Sequence, residues 1–292
     1  MTREEMIEQA KETRKHVTNA TVSPEEMAAY PVVMEKLSVP TSVGDAAIYY
    51  SYAENGANLD VMIINFHGGG FIRERTPNDE LFCRKLNHVL GCRIMDVDYR
   101  IAPDYPYPIA FNESYDVICW MFAHAGEYGV DPQKIILMGH SAGGNLILGT
   151  TMRAIAEKSF HPLGLVVEYP PLDLYTDPDD KPRQGKGIPA ERARLYNLYY
   201  CDRERQKEPY ASPYYASQEQ LTGFPPCAFL TAGLDDLCTE AEDLALRMAQ
   251  AGNEITIKRF PNAGHAFTIY RKPGHQEAFD LMVRYVKNML LS

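Results

Sequence analysis

Ile135-Ile136-Leu137-Met138-Gly139-His140-Ser141-Ala142-Gly143-Gly144-Asn145-Leu146 runs an apolar strand straight into a Gly-x-Ser-x-Gly turn and on into a helical pattern. A serine hydroxyl is a weak nucleophile at neutral pH, so a protein that uses one projects it from a sharp strand-to-helix turn toward a base. Gly139 and Gly143 leave room for that turn around Ser141. Asn145 to Lys158 reads as a helix, with Leu146, Leu148, Met152, Ile155 and Ala156 available for burial. The plain alternative is a glycine-rich helix start that holds a phosphate or only packs tightly.

Outward from this turn the chain alternates strands and helices. Ala46 to Tyr52, Val61 to Phe66, Arg93 to Asp98, Lys134 to Met138, Leu163 to Tyr169, Cys227 to Thr231 and Glu254 to Phe260 read as strands. Helical patterns fall at Asn78 to Leu90, Ile109 to Ala125, Thr239 to Ala251 and Gln276 to Leu291. Such alternation predicts a mostly parallel sheet covered on both faces. Ahead of it, Arg3 to Val17 and Pro24 to Leu37 read as two helices, the second opened by Ser23 as cap and Pro24 in the first turn. Residues 171–225 break the rhythm and read as an insertion, with a Pro-, Asp- and Lys-rich stretch from Asp177 to Gly187 followed by a tyrosine-rich helix. The predicted organisation is N-terminal helices over 1–45, a catalytic domain over 46–170 and 226–292, and a cap over 171–225.

With 29 Lys and Arg against 39 Asp and Glu, the 292 residues carry a formal charge of −10. That balance speaks against nucleic acid or an anionic membrane as partner, since both call for basic surface. No apolar run nears the ~20 residues of a bilayer span. The six cysteines contain no C-x-x-C pair, and Met1-Thr2-Arg3-Glu4-Glu5 opens a charged helix rather than an apolar leader, so a reducing cytoplasmic setting is expected.

A second glycine cluster, His67-Gly68-Gly69-Gly70-Phe71, follows the strand ending at Phe66. When serine attacks an ester, the carbonyl oxygen becomes an oxyanion, and glycine amides at a strand end approach it without a Cβ in the way. Gly69, Gly70 and Ala142 are the candidate donors; a loop that only needs positive φ is the plain alternative. The base must be a histidine on a loop after a late strand. His265, in Pro261-Asn262-Ala263-Gly264-His265, fits. His16, His88, His124 and His161 fall on helices or element edges, His275 on the surface, and His67 and His140 adjoin the site in sequence with no predictable direction. The carboxylate that orients the base is sought after Cys227-Ala228-Phe229-Leu230-Thr231, where Asp235 comes first and Asp236 is the reserve. The order Ser141, Asp235, His265 is that of an α/β-hydrolase.

The chain resembles the hormone-sensitive-lipase-like branch of the α/β-hydrolases, whose members carry HGGG and GDSAGG motifs. Asp98-Tyr99-Arg100-Ile101-Ala102-Pro103-Asp104 is similar to the family's DYRLAPE segment, and Tyr169-Pro170-Pro171-Leu172-Asp173, Ala211-Ser212-Pro213, Phe224-Pro225-Pro226 and Ala263-Gly264-His265-Ala266-Phe267 follow family landmarks in order. The resemblance covers the chain from about Ala46 onward. It implies an α/β-hydrolase fold with an eight-stranded, mostly parallel sheet, helices on both faces and a helical cap. It also implies ester hydrolysis through a Ser-His-Asp triad, needing neither metal nor organic cofactor. Two departures stand out: His140 takes the place of the Asp before the nucleophile, and Asp236-Leu237-Cys238-Thr239-Glu240 replaces Pro-Leu-x-Asp-Glu.

The activity expected is a serine carboxylesterase for short-chain acyl esters, acetyl esters among them, with activity falling as acid protonates the base. An amidase or formamidase, or a thioesterase, would use the same apparatus. A non-catalytic receptor of the gibberellin-receptor kind shares the resemblance but lacks the histidine, so His265 favours an enzyme. Family members often dimerise, and the sequence leaves that open here. The cap tyrosines Tyr196, Tyr199, Tyr200, Tyr210, Tyr214 and Tyr215 are read as packing first and ligand contacts second. The Lys181 to Lys186 run is read as a solvated loop.

Overall fold

The computed structural model describes residues 2–15, 21–182 and 184–291. Eight strands form one sheet in the order β1-β2-β4-β3-β5-β6-β7-β8: β1 (Val33–Val39), β2 (Ala46–Tyr52), β3 (Met62–Phe66), β4 (Arg93–Asp98), β5 (Ile135–His140), β6 (Gly164–Glu168), β7 (Cys227–Ala232) and β8 (Ile255–Phe260). β1 pairs antiparallel with β2, and β2 antiparallel with β4; every pairing from β4 to β8 is parallel.

The side-chain period of two sorts the central strands between two cores. Met62, Ile64 and Phe66 of β3, with Ile135 and Leu137 of β5, enter one; Ile63, Ile136 and Met138 enter the other. The first core is covered by α4 (Ile109–His124), α5 (Ala142–Glu157) and α7 (Cys238–Gln250), and the second by α3 (Pro77–Leu90) and α8 (His275–Met289). β3 and β5 are buried along their whole length, as expected of strands covered on both faces.

The N-terminus departs from expectation. The first helix, α1 (Arg3–Lys15), is present; His16 and Val17, assigned to its end, lie outside the described residues. The second helix stops early. Ser23 caps α2 (Pro24–Ala28) with a full capping box, but the helix ends after five residues and the chain crosses Pro31 into β1. The segment expected to carry a helix to Leu37 is therefore an edge strand, and residues 33–39 belong to the catalytic sheet rather than to a helical cap.

The described residues of 171–225 contain α6 (Ala190–Tyr200) and two 3-10 turns, Arg203–Arg205 and Pro213–Tyr215, and no strand. Asn145 of α5 fastens them to the sheet domain by donating to Pro171 O at 2.8 Å and Ala211 O at 2.9 Å. A second fastening corrects the solvated reading of Lys181. Its ammonium reaches the buried Glu240 carboxylate at 2.5 Å, and Glu240 also accepts the Leu172 amide at 2.6 Å. Burial raises the Glu240 pKa against the pull of Lys181. Arg183, in the same basic run, lies outside the described residues.

Candidate active site

Four strand ends meet at the C-terminal edge of the sheet, where an open α/β sheet collects ligands. β5 delivers Ser141, β7 Asp235, β8 His265 and β3 the glycine loop. Ser141 has φ 52° and ψ −121°, a conformation L-residues rarely adopt, and α5 begins at the next residue. This is three residues earlier than the pattern from Asn145 suggests, so the Ala142 amide lies in the first turn, where amides lack intrahelical partners.

The glycines around Ser141 serve a crossing of main chains. A methyl group on Gly143 would sit 1.9 Å from Phe66 O, and one on Gly139 would sit 2.5 Å from Gly143 O. The helix start thus lies directly against the ends of β3 and β5, and no side chain fits between them.

Ser141 Oγ lies 3.0 Å from His265 Nε2, and His265 Nδ1 lies 2.6 Å from Asp235 Oδ2. The Asp235 side chain is fully buried, while that of His265 is 14% exposed. With Nδ1 donating to Asp235, Nε2 is left with the lone pair that faces the hydroxyl. Asp236, the reserve, acts elsewhere. Its Oδ1 accepts the Gln184 amide at 2.5 Å and so ties the insertion down. Tyr169 packs edge-on against the His265 ring at 5.2 Å and bonds the Thr268 hydroxyl.

The glycine loop abuts the serine, since a methyl on Gly68 would meet Ser141 Cβ at 3.1 Å. Gly69 and Gly70 have φ of 117° and 62°, and a methyl on Gly70 would fall 2.3 Å from the Tyr196 ring of α6. The next residue, Phe71, stacks on Tyr200 at 3.7 Å. α6 therefore holds the loop from outside. The cap tyrosines divide accordingly: Tyr199 and Tyr200 are buried in the core and Tyr210 stacks on Phe111, whereas Tyr196 lines the cleft beside Ser141.

The two neighbouring histidines, unassigned from sequence, brace this loop. His67 stacks on Tyr99, and its Nδ1 donates to Gly68 O at 2.7 Å. Burial works against its charged form, but Asp98 and Asp79 outweigh it and raise its pKa. His140 Nε2 lies 2.8 Å from the Gly68 amide and 3.0 Å from Asp79 Oδ1. One ring nitrogen either accepts from Gly68 or donates to Asp79, so the tautomer of His140 decides which of the two it holds. Burial alone would raise the Asp79 pKa, yet His140, His67 and Thr76 hold it down at about 2. Sequence signals the position of His140 but not its partner: Asp79 lies in α3, on the far side of a loop.

Two cavities open beside Ser141. A cleft of about 200 Å³ is lined by Ser141, His265, Gly69 and Gly70. A tighter pocket of about 40 Å³ touches Ser141, Gly70, Ile188 and Leu237 and does not include His265. Among the described residues there is no His, Cys, Asp and Glu group able to hold a metal ion, and no helix is long and apolar enough to cross a membrane.

Comparisons with known proteins bear on the fold and the family. A family described as having the alpha/beta hydrolase fold matches residues 63–269. An arylesterase of Saccharolobus solfataricus is 31% identical over 213 residues, 70% of this chain and 68% of its own length. Human hormone-sensitive lipase is 36% identical over 109 residues, 37% of this chain but only 10% of the lipase. The matched part thus spans at most about two thirds of these curated relatives. Among solved structures, the thermostable carboxylesterase EstE1 from a metagenomic library superposes with a TM-score of 0.84 at 26% identity, covering 99% of this chain and 98% of that one. With its motifs, its sheet order and these relatives in agreement, the chain belongs to the α/β-hydrolase fold family, among the ester hydrolases of the hormone-sensitive-lipase type.

Proposed function

We propose that the chain is a serine carboxylesterase that cleaves short-chain acyl esters, acetyl esters among them, through an acyl-enzyme. The observation that carries this reading is the unbroken line from Ser141 Oγ to His265 Nε2 at 3.0 Å and from His265 Nδ1 to Asp235 at 2.6 Å, ending at an open cleft. His265 takes the hydroxyl proton as Ser141 attacks the carbonyl carbon, and Asp235 stabilises the imidazolium that forms. The amides of Gly69, Gly70 and Ala142 receive the oxyanion. The imidazolium then gives its proton to the departing alkoxide; water, deprotonated by the same ring, releases the acid and restores the serine.

That proton transfer assigns the cavities. The leaving alkoxide must lie on the His265 side, hence in the larger cleft. The acyl group then occupies the tighter pocket, which has room for roughly three water-sized groups, the bulk of a two- to four-carbon chain. Ser141→Ala is expected to lower p-nitrophenyl acetate turnover by about 10⁴-fold or more, and the wild-type rate is expected to fall once the acyl chain passes about four carbons. Near-wild-type turnover of the variant, or a folded wild-type protein that a fluorophosphonate does not label at Ser141, would overturn the reading. The cysteines are free and all but Cys119 are buried, which supports the reducing, cytoplasmic setting expected from the sequence.

A further inference from the structure

The rim of the larger cleft has a charge opposite to that of the molecule. Arg73, Lys186, Arg192 and Lys272 line it, against only Glu74 and Asp79 among the acids. Asp79 is committed to His140. The chain as a whole has ten more acids than bases, and its half-exposed cations elsewhere commonly sit on carboxylates: Arg194 on Asp177 at 2.6 Å, Arg205 on Glu208 at 2.7 Å, Lys134 on Asp60 at 2.5 Å. Among the described residues none of the four cleft cations has a carboxylate within ion-pair distance. Arg73 adds a second sign, because its Nε is buried with no hydrogen-bond partner, and a buried donor normally has one.

The four come from separate places. Arg73 follows the glycine loop, Lys186 and Arg192 belong to the insertion, and Lys272 follows His265, with its ammonium on the His265 carbonyl at 3.2 Å. Separate segments converging with one sign, in a cleft that opens at the base, focus potential where a leaving group must sit.

We propose that the natural substrate is an ester whose alcohol portion carries a negative charge, a carboxylate or a comparable small anion, held by Arg73, Lys186, Arg192 and Lys272. The inference rests on the esterase reading and on the leaving group lying on the His265 side. It does not concern the acyl group, which faces the tighter pocket.

The test uses the purified full-length protein and three acetate esters built on one benzyl alcohol: para-(acetoxymethyl)benzoate, the corresponding benzamide, and the corresponding trimethylammonium compound. Their scissile bonds are alike and only the remote charge differs. At low ionic strength kcat/KM is expected to fall from anion to amide to cation, with the anion ahead of the amide by about tenfold or more. That lead is expected to shrink as added salt shortens the Debye length from about 30 Å toward about 3 Å. Arg192→Gln should narrow the anion-to-amide ratio several-fold, and Arg192→Glu on the exposed face of α6 should narrow it further.

Equal rates for the three esters, or a ratio that ignores both salt and the Arg192 variants, overturn the charged-alcohol proposal while leaving the esterase reading intact. Absence of hydrolysis of every ester, p-nitrophenyl acetate included, is the separate failure of the esterase reading.

Discussion

The two walls of the cleft are built on different principles. The wall that carries Ser141 is main chain: β5, α5 and the glycine loop cross so closely that Gly143 has 1.9 Å between a would-be methyl and Phe66 O, and Ser141, Ala142 and Gly143 are all buried. The wall supplied by residues 171–225 is side chain: exposed Lys186 and Arg192, half-irregular backbone, and a few fastenings through Lys181, Asn145 and Asp236. The first wall tolerates no variation without losing its crossing. The second, at exposed positions such as Lys186 and Arg192, has side chains that no main-chain crossing constrains. On the proposed reading, the chemistry rests on backbone geometry and the choice of substrate on replaceable side chains, as the physics of fixed dipoles and long flexible cations would have it.

The neighbouring aspartates sharpen this contrast most. Asp235 serves the first wall and Asp236 the second. Asp235→Asn is expected to cut kcat by about 10⁴-fold with the fold retained, because the amide stabilises the wrong imidazole tautomer. Asp236→Asn weakens the hold on Gln184 and should cost far less in kcat; equal losses from both would erase the distinction. Gly70→Ala comes next. It adds a methyl 2.3 Å from Tyr196 at φ 62°, and displacement of one oxyanion donor should lower kcat by about 10²- to 10³-fold. Pairing it with Tyr196→Ala removes the ring: full rescue would assign the loss to the cap wall, no rescue to the backbone wall.

The smallest effect concerns the brace behind the glycine loop. Asp79 is held at about 2, below the ordinary carboxylate value of 3.8, so its folded form prefers the charged state. The stability this supplies is complete above about pH 4 and is lost as pH falls through about 2, and its size is about 2 kcal/mol. In urea unfolding, Asp79→Asn should therefore be less stable than wild type at about pH 6, with the gap narrowing at about pH 3. A gap independent of pH would show that the carboxylate charge has no part in the brace.

What the sequence disclosed follows the same division. The elements around the first wall were readable to within a few residues, because buried strands are continuous apolar runs and each turn is closed by local glycines. The lapse at Pro24 to Leu37 is physical too. Ser23, Pro24 and Glu26 are a genuine helix start, but nothing local tells that Val33 to Val39, with Glu35 and Lys36 exposed in its middle, completes its hydrogen bonds on β2. An edge strand half in water has no strong period of its own. Lys181 misled for a related reason: a lysine in a Pro- and Asp-rich loop looks solvated until Glu240, 59 positions away, is brought beneath it. The partners of His140 were likewise out of reach, since Asp79 and Gly68 meet it only through tertiary crossing.

One main-chain contact ties the two walls together. The His265 amide donates to Lys186 O at 3.2 Å, and the Lys186 amide donates in turn to Leu234 O at 2.8 Å. A single residue of the insertion is thereby threaded between the segments that bear Asp235 and His265, like a bolt through two plates. Any displacement of the main chain at Lys186 would break both bonds at once and release the His265 segment from the Asp235 segment.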